Sequence, residues 1–541
     1  MSELTSPTLP RERFDAVIIG AGVAGLYQLH RLRELGFRVV AIEAGAGVGG
    51  TWFWNRYPGA RVDSQSHVYQ YWFSRELSDG WNWSERFPAQ PETEAYLNYV
   101  ADRCDLRRDI RFSTRVTEAA WDEAERRWTI RTDRGETLDA QFFITCAGML
   151  SAPLEKRFQG QERFKGQLFH TARWPQAEID VAGKRVGVVG TGATGIQVIQ
   201  TLAAQAGHLT VFQRTAQYAI PMRNPKLSDA DRAKTKADFE AMRQRVHSTF
   251  AGFDYDFEHT WAGTPAGQRQ EVLEQLWADG SLSFWVASFV ELFFDPAINE
   301  EISKFVRAKI RARIHDPALA DKLIPTSYGF GTHRVPLETN YFEAYNRPNV
   351  ELVDVAAAPI ESVNETGLLT ADGRQHNLDV LILATGFDAG TGALTRIDIR
   401  GRGGRLLRDE WSRDIRTTMG LQVHGYPNMF TTAAPLAPSA ALCNMTTCLQ
   451  QQVDWISDCI AHMRSTGKRV MEPTAAAQDA WVAHHDEVAN ATLVTKTDSW
   501  YMGSNVDGKP RRMLSYAGGV GTYRKLCDDV AAKGYEGFAL A

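Results

Sequence analysis

Two mostly apolar runs, Phe14 to Ile19 and Val186 to Val189, have the pattern of parallel strands covered on both faces. Each leads into a glycine-rich turn, Gly20-Ala-Gly22-Val-Ala24-Gly25 and Gly190-Thr-Gly192-Ala-Thr-Gly195, and then into a helical pattern. Leu26 to Leu35 is amphipathic and stops at Gly36, and Ile196 to Ala206 repeats the arrangement. Arg38 to Ile42 predicts a second strand behind the first helix, and Arg111 to Thr132 and Gln141 to Thr145 alternate as strands do. From Leu227 to about Pro325 the period becomes helical. There Ser228 to Asp231 has capping-box spacing, Asp295-Pro296 and Asp316-Pro317 open helices, and Ile298, Ile302, Phe305, Val306, Ile310 and Ile314 share one face. Asn349 to Val355 and Leu378 to Leu383 return to strands, and the second ends in the turn Ala384-Thr385-Gly386-Phe387-Asp388.

This order predicts an α/β chain of two Rossmann-like dinucleotide-binding domains with an all-helical insertion. The expected units are residues 1–150 with 389–541, 151–223 with 332–388, and the insertion 224–331, with an interdomain linker at 161–175. A length of 541 residues suits about three units. Lys and Arg number 60 against 65 Asp and Glu, with no run of five or six like charges, which argues against nucleic-acid or anionic-membrane partners and for small molecules. The six cysteines have neither C-x-x-C nor zinc spacing, so no metal site is expected. They read as free thiols in a reducing compartment, Cys443 and Cys448 as two buried thiols on one helix. The polar start Met1 to Glu12 and the lack of an 18-residue apolar run predict a cytoplasmic protein, monomeric or a small homo-oligomer.

Glu43 ends the second strand 18 residues after Gly25, where a carboxylate can accept hydrogen bonds from a ribose. Gly47-Val-Gly49-Gly50-Thr51-Trp52-Phe-Trp54 then offers backbone amides to a pyrophosphate and aromatic walls to a flavin, although alone it would read as a glycine turn with core tryptophans. Together the three features predict FAD. The same count from Gly195 reaches Gln213, followed by Arg214 and Thr215: the acid is missing, and a cation with a hydroxyl suits a ribose 2′-phosphate. The second ligand is therefore expected to be NADPH, and hydride transfer to a flavin is the chemistry two such sites permit. Asp63 alone reads as a turn carboxylate, and Trp81 and Trp83 as packing residues. Thr497 to Asn505, with Gly508-Lys-Pro510, reads as a mobile loop carrying an aromatic lid.

Between the glycine turns lies Phe164-Lys-Gly166-Gln-Leu-Phe-His170-Thr-Ala-Arg-Trp174-Pro175. With it, the chain resembles over essentially its whole length the flavin-dependent (type I) Baeyer–Villiger monooxygenases, among them cyclopentanone, cyclohexanone and phenylacetone monooxygenases. The resemblance implies NADPH- and O2-dependent conversion of ketones, cyclic or bulky ones, to esters or lactones through a C4a-peroxyflavin and a tetrahedral Criegee-type intermediate. It implies that Arg334 is catalytic and oriented by Asp63. It further implies that Gly20, Gly22, Ala24, Gly25, Glu43, Gly50, Thr51, Trp52, Trp54, Asp63, Tyr69, Val116, Met149 and Met445 surround FAD. Gly190, Thr191, Gly192, Ala193, Thr194, Gly195, Ile196, Arg214, Thr215, His333, Arg334 and Trp500 would hold NADP, and His170 would couple domain rotation rather than donate a proton. His333 stands where many members have Lys, Cys146-Ala-Gly148 replaces Ala-Thr-Gly, and Ala434 to Leu442 departs from the common loop. Two alternatives stay open: a flavin-containing N- or S-oxygenase, and a non-catalytic NADP(H)-sensing flavoprotein.

Overall fold

The computed structural model describes residues 11–177 and 179–541, so most of the polar start Met1 to Glu12 lies outside the described residues. The first strand, β1 (Glu12–Ile19), leads through the glycine turn into α1 (Val23–Glu34) and then β2 (Val39–Ile42). A meander follows, β3 (Val116–Asp122), β4 (Arg127–Thr132) and β5 (Thr137–Thr145), and β5 returns beside β1 in parallel, with Ala16 opposite Phe142. Ala16, Val17, Ile18, Phe143 and Ile144 have no measurable exposure, which is why the second halves of these two strands are continuously apolar rather than alternating. Two later strands, Asp398–Arg400 against β3 and Met429–Thr431 against β5, return the end of the chain to this sheet.

The predicted connector is not a loose tether. Its centre forms β6 (Gln167–His170), the edge of a second, wholly parallel sheet. That sheet also contains β7 (Arg185–Val189), β8 (His208–Gln213), β9 (Val350–Asp354) and β10 (Val380–Leu383), in the order β9-β8-β7-β10-β6, with α2 (Ala193–Leu202) rising from the second glycine turn. Trp174 is buried against Phe169 immediately after β6.

The longest stretch of the insertion without a helix runs from Thr249 to Pro265. Phe250-Ala-Gly-Phe-Asp-Tyr-Asp-Phe257 alternates aromatic and polar residues rather than following a 3.6 period, and Gly252 turns left-handed at φ +71°. The carbonyl of Gly252 accepts hydrogen bonds from Asn444 and Thr447, which docks this stretch on α3 (Met445–Ser465). The insertion has no core of its own: Phe284, Trp285, Phe289 and Val306 belong to the same apolar cluster as Val186 and Val188 of the second sheet. Among the described residues, no helix is long and apolar enough to cross a membrane, and no group of three metal-ligating side chains occurs.

Candidate active site

Both glycine turns open into one cleft of about 1660 Å³, larger than the roughly 300–1,000 Å³ of an ordinary single-ligand pocket. Gly20 and Gly190 take φ of +98° and +108°, so each strand turns sharply into its helix. Neither α1 nor α2 has a side-chain cap, because Gly22 and Gly192 hold the cap positions. The first-turn amides and the positive end of each helix dipole are thereby left for an anion, and a Cβ built on Gly192 would meet nothing within 4 Å. Two pyrophosphates fit this arrangement.

Every residue expected to surround FAD lines the cleft except Gly25, and every one expected to hold NADP lines it except Gly195 and Ile196. Those three pack against the turns or in the core and do not line the cleft. A Cβ on Gly25 would lie 1.9 Å from the Gly20 carbonyl oxygen and one on Gly195 2.1 Å from that of Gly190, so these glycines press helix onto turn, while Ile196 is wholly inside the core. Glu43 is 5% exposed and accepts hydrogen bonds from the amides of Ala21 (2.7 Å) and Gly45 (2.6 Å). Burial pushes its pKa up against those two bonds, and a carboxylate has further lone pairs for a ribose.

At the second turn, the Thr191 hydroxyl donates to the Thr215 carbonyl (3.0 Å), tying the turn to the end of β8, where Arg214 and Thr215 stand exposed at the mouth. His333 stacks on Tyr328 at 3.8 Å, and the Tyr328 hydroxyl donates to the Ala216 carbonyl, so the imidazole belongs to the same corner. Its Nε2 has no partner, and burial lowers its pKa to about 4.

Arg334 stands between the two turns. It donates through one terminal nitrogen to Asp63 Oδ2 and through the other to the Ala440 carbonyl, both at 2.8 Å, and its plane faces Trp285 at 5.5 Å. Arg334 and Asp63 are 20% and 21% exposed. Burial disfavours the guanidinium charge, but the Asp63 carboxylate outweighs it and holds the pKa above its usual value. A fixed cation whose outer edge faces a half-dry cleft can stabilise an oxyanion. His170 has another role: its Nδ1 accepts from the Ala172 amide, so Nε2 carries the proton and donates to Thr385, whose hydroxyl donates to the Leu154 carbonyl. That chain pins together three segments where the backbone passes between the sheets.

The sequence reading missed Tyr57, whose hydroxyl donates to Gln197 of α2 (3.0 Å), and Tyr501, fully buried beside Arg334 with its hydroxyl on the Ala441 carbonyl (2.9 Å). Tyr57 follows the aromatic cluster after the first glycine turn and Tyr501 lies in the loop read as an aromatic lid, but no local spacing singles out either side chain. Cys443 and Cys448 require a correction: Cys443 precedes α3 rather than lying on it, because Asn444 holds the helix's cap position between them, and the two sulfur atoms face each other. Cys443 lines the cleft. The other four cysteines are free, and burial raises their pKa values, in Cys146 and Cys527 to about 12.

Residues 14–224 match the family model described as flavin-binding monooxygenase-like. The chain is 62% identical over 527 residues to an acetone monooxygenase (methyl acetate-forming) of Gordonia sp. (strain TY-5), covering 97% of this chain and 99% of that protein. It is 40% identical over 534 residues to a phenazine N-monooxygenase of Lysobacter antibioticus, covering 98% and 97%. Among solved structures, a closed cyclohexanone monooxygenase superposes with a TM-score of 0.95 at 40% identity, covering 98% of this chain and all of the other.

Proposed function

Since the chain belongs to the flavin-dependent Baeyer–Villiger monooxygenases, we propose that it uses NADPH and O2 to insert oxygen beside the carbonyl of small acyclic ketones, giving esters. The observation that carries this is Arg334, clamped by Asp63 and the Ala440 carbonyl between two nucleotide turns. The cyclic or bulky substrate expected from the sequence gives way to a small one for two reasons. The 62%-identical relative is an acetone monooxygenase. Arg334 is backed by the bulky buried side chains of Trp285 and Tyr501.

FAD is assigned to the first turn, with residues 1–150 and 389–541, and NADPH to the second, with 151–223 and 332–388, beneath the insertion 224–331. Bound FAD, reduced by NADPH, supplies the activation of oxygen. The chain's own part is to hold and orient: the starts of α1 and α2 take the two pyrophosphates, and Arg214, Thr215 and His333 take the 2′-phosphate. Arg334 fixes the ketone oxygen and stabilises the negative charge that grows on it, while Asp63 keeps the guanidinium from rotating. Trp500 and Tyr501 exclude water from that contact. The test is incubation with NADPH and a panel of acetone, butanone, cyclohexanone and an aromatic N-heterocycle, read by mass spectrometry. Methyl acetate from acetone is expected; an N-oxide without any ester would favour the second reading, heteroatom oxygenation, which the phenazine N-monooxygenase relative recommends.

His333 gives a pH dependence. Its pKa of about 4 makes it neutral at pH 7, so a 2′-phosphate beside it favours uptake of a proton. Binding of NADPH should therefore strengthen as pH falls from 8 towards 5.5, whereas binding of NADH, which lacks that phosphate, should stay flat. The ratio of the two KM values is expected to change with pH, and the change should shrink in His333→Gln, where only the phosphate's own titration remains. Equal slopes in the two proteins would remove His333 from the phosphate site.

A further inference from the structure

We propose that Lys509 is a positioning residue whose ion pair with Asp388 latches the lid, residues 499–510, to the return crossing at 387–389, so that the lid closes only when that crossing sits in its present position. The proposal rests on the reading of the cleft as an FAD and NADPH site.

Lys509 has a side chain only 6% exposed, in a residue type almost never buried unless paired. Its ammonium lies 2.8 Å from Asp388 Oδ1 and 2.6 Å from the Ala389 carbonyl. Four residues earlier, Asn505 donates to the Phe387 carbonyl at 2.8 Å. Three consecutive residues of the crossing, Phe387, Asp388 and Ala389, are thus gripped by one lid. Both sides of the contact face the cleft: Ser499, Trp500, Ser504 and Asn505 line it from the lid, Phe387 and Ala389 from the crossing.

The crossing is built to pivot. Gly386 and Gly390 bracket it with φ of +86° and +75°, a region other residues seldom enter. Just before it, Thr385 receives the His170 hydrogen bond from the linker. Linker and lid therefore hold the two parts of one five-residue stretch, the linker at Thr385 and the lid at Phe387 to Ala389. A shift of the second sheet that moves the crossing draws Asp388 from Lys509, and an ammonium left unpaired in a buried position favours release of the lid. Trp500, carried by the same lid, leaves the cleft with it.

The test uses the FAD-loaded full chain with NADP+ added. Amide hydrogen exchange over residues 498–508 and the rate of NADP+ release are compared for the unaltered protein, Lys509→Met, Lys509→Arg and Asp388→Asn. Lys509→Met and Asp388→Asn are expected to lose lid protection and to release NADP+ about tenfold faster or more, with more hydrogen peroxide formed per NADPH consumed. Lys509→Arg, which keeps the charge, should recover part of the protection. Anaerobic flavin reduction at saturating NADPH should stay within about twofold, since neither Lys509 nor Asp388 lines the cleft. Lid exchange in Lys509→Met and Asp388→Asn identical to that of the unaltered protein would overturn the proposal. Failure of NADPH to reduce the unaltered protein would instead overturn the reading of the cleft, and the exchange result would still report on the latch.

Discussion

Replacing Arg334 with alanine is expected to abolish ester formation while leaving the flavin reducible by NADPH. The guanidinium acts on the ketone oxygen, not on the nucleotide rings, so reduction and oxygen insertion should come apart. Removing one preorganised oxyanion donor costs about 10²–10³ in rate, roughly 3–4 kcal/mol, and the loss of a full charge belongs at or beyond the upper end of that range. Arg334→Lys should rescue little. A lysine cannot hold Asp63 and the Ala440 carbonyl on two separate nitrogens of one rigid plane while facing the substrate. Removing Arg334 also leaves Asp63 unpaired and largely buried, so FAD content and melting temperature must be measured alongside. Single-turnover ester yield is the deciding measurement, and a yield near that of the unaltered enzyme would refute the role given to Arg334.

Gly195→Ala is expected to disable the nucleotide site at α2 and spare the one at α1. The added methyl would sit 2.1 Å from the Gly190 carbonyl oxygen, well inside contact distance, so α2 must move off its turn. The amides that face the cleft move with it. The KM for NADPH should rise by at least about 10²-fold, the scale of a misplacement near 1 Å. The flavin to protein absorbance ratio should not change, because Gly25 closes the other turn independently, with its own 1.9 Å constraint. Gly25→Ala is the mirror experiment and should lose FAD. Loss of flavin from Gly195→Ala would mean that the two turns do not act separately.

What could be read from the sequence was local in the chain. The two strand, turn and helix units, the capping acids Asp295 and Asp316, and the apolar face of Pro296–Arg311 follow from spacing alone, and the structure has them. Even the contrast between Glu43 and Arg214 is a matter of counting along one unit. Pairings across the chain leave no such trace. Asp63 and Arg334 are 271 positions apart, and only resemblance to a family brought them together. The grip of Lys509 on Asp388 had no signal, since a lysine after glycine in a polar loop reads as solvated. Ile196 entered the nucleotide set through resemblance to the family, and its side chain packs wholly in the core. Thr249 to Pro265 escaped because the flanking helices are strongly periodic and the aromatic alternation within them is brief.

The single apolar cluster shared by the insertion and the second sheet has a consequence for recombining this protein with its relatives. A chimera that exchanges only residues 224–331 would cut through the apolar cluster that joins Phe284, Trp285 and Phe289 to Val186 and Val188. The junctions would then carry mismatched volumes, each costing on the order of 1–3 kcal/mol. Grafting the whole parallel sheet together with its insertion keeps those contacts intact, provided that the partners the same cluster draws from outside the block, Val68, Trp72 and Phe87 before it and Leu442, Tyr501 and Met502 after it, are carried along. In breeding new specificities, that larger block is the natural unit of inheritance.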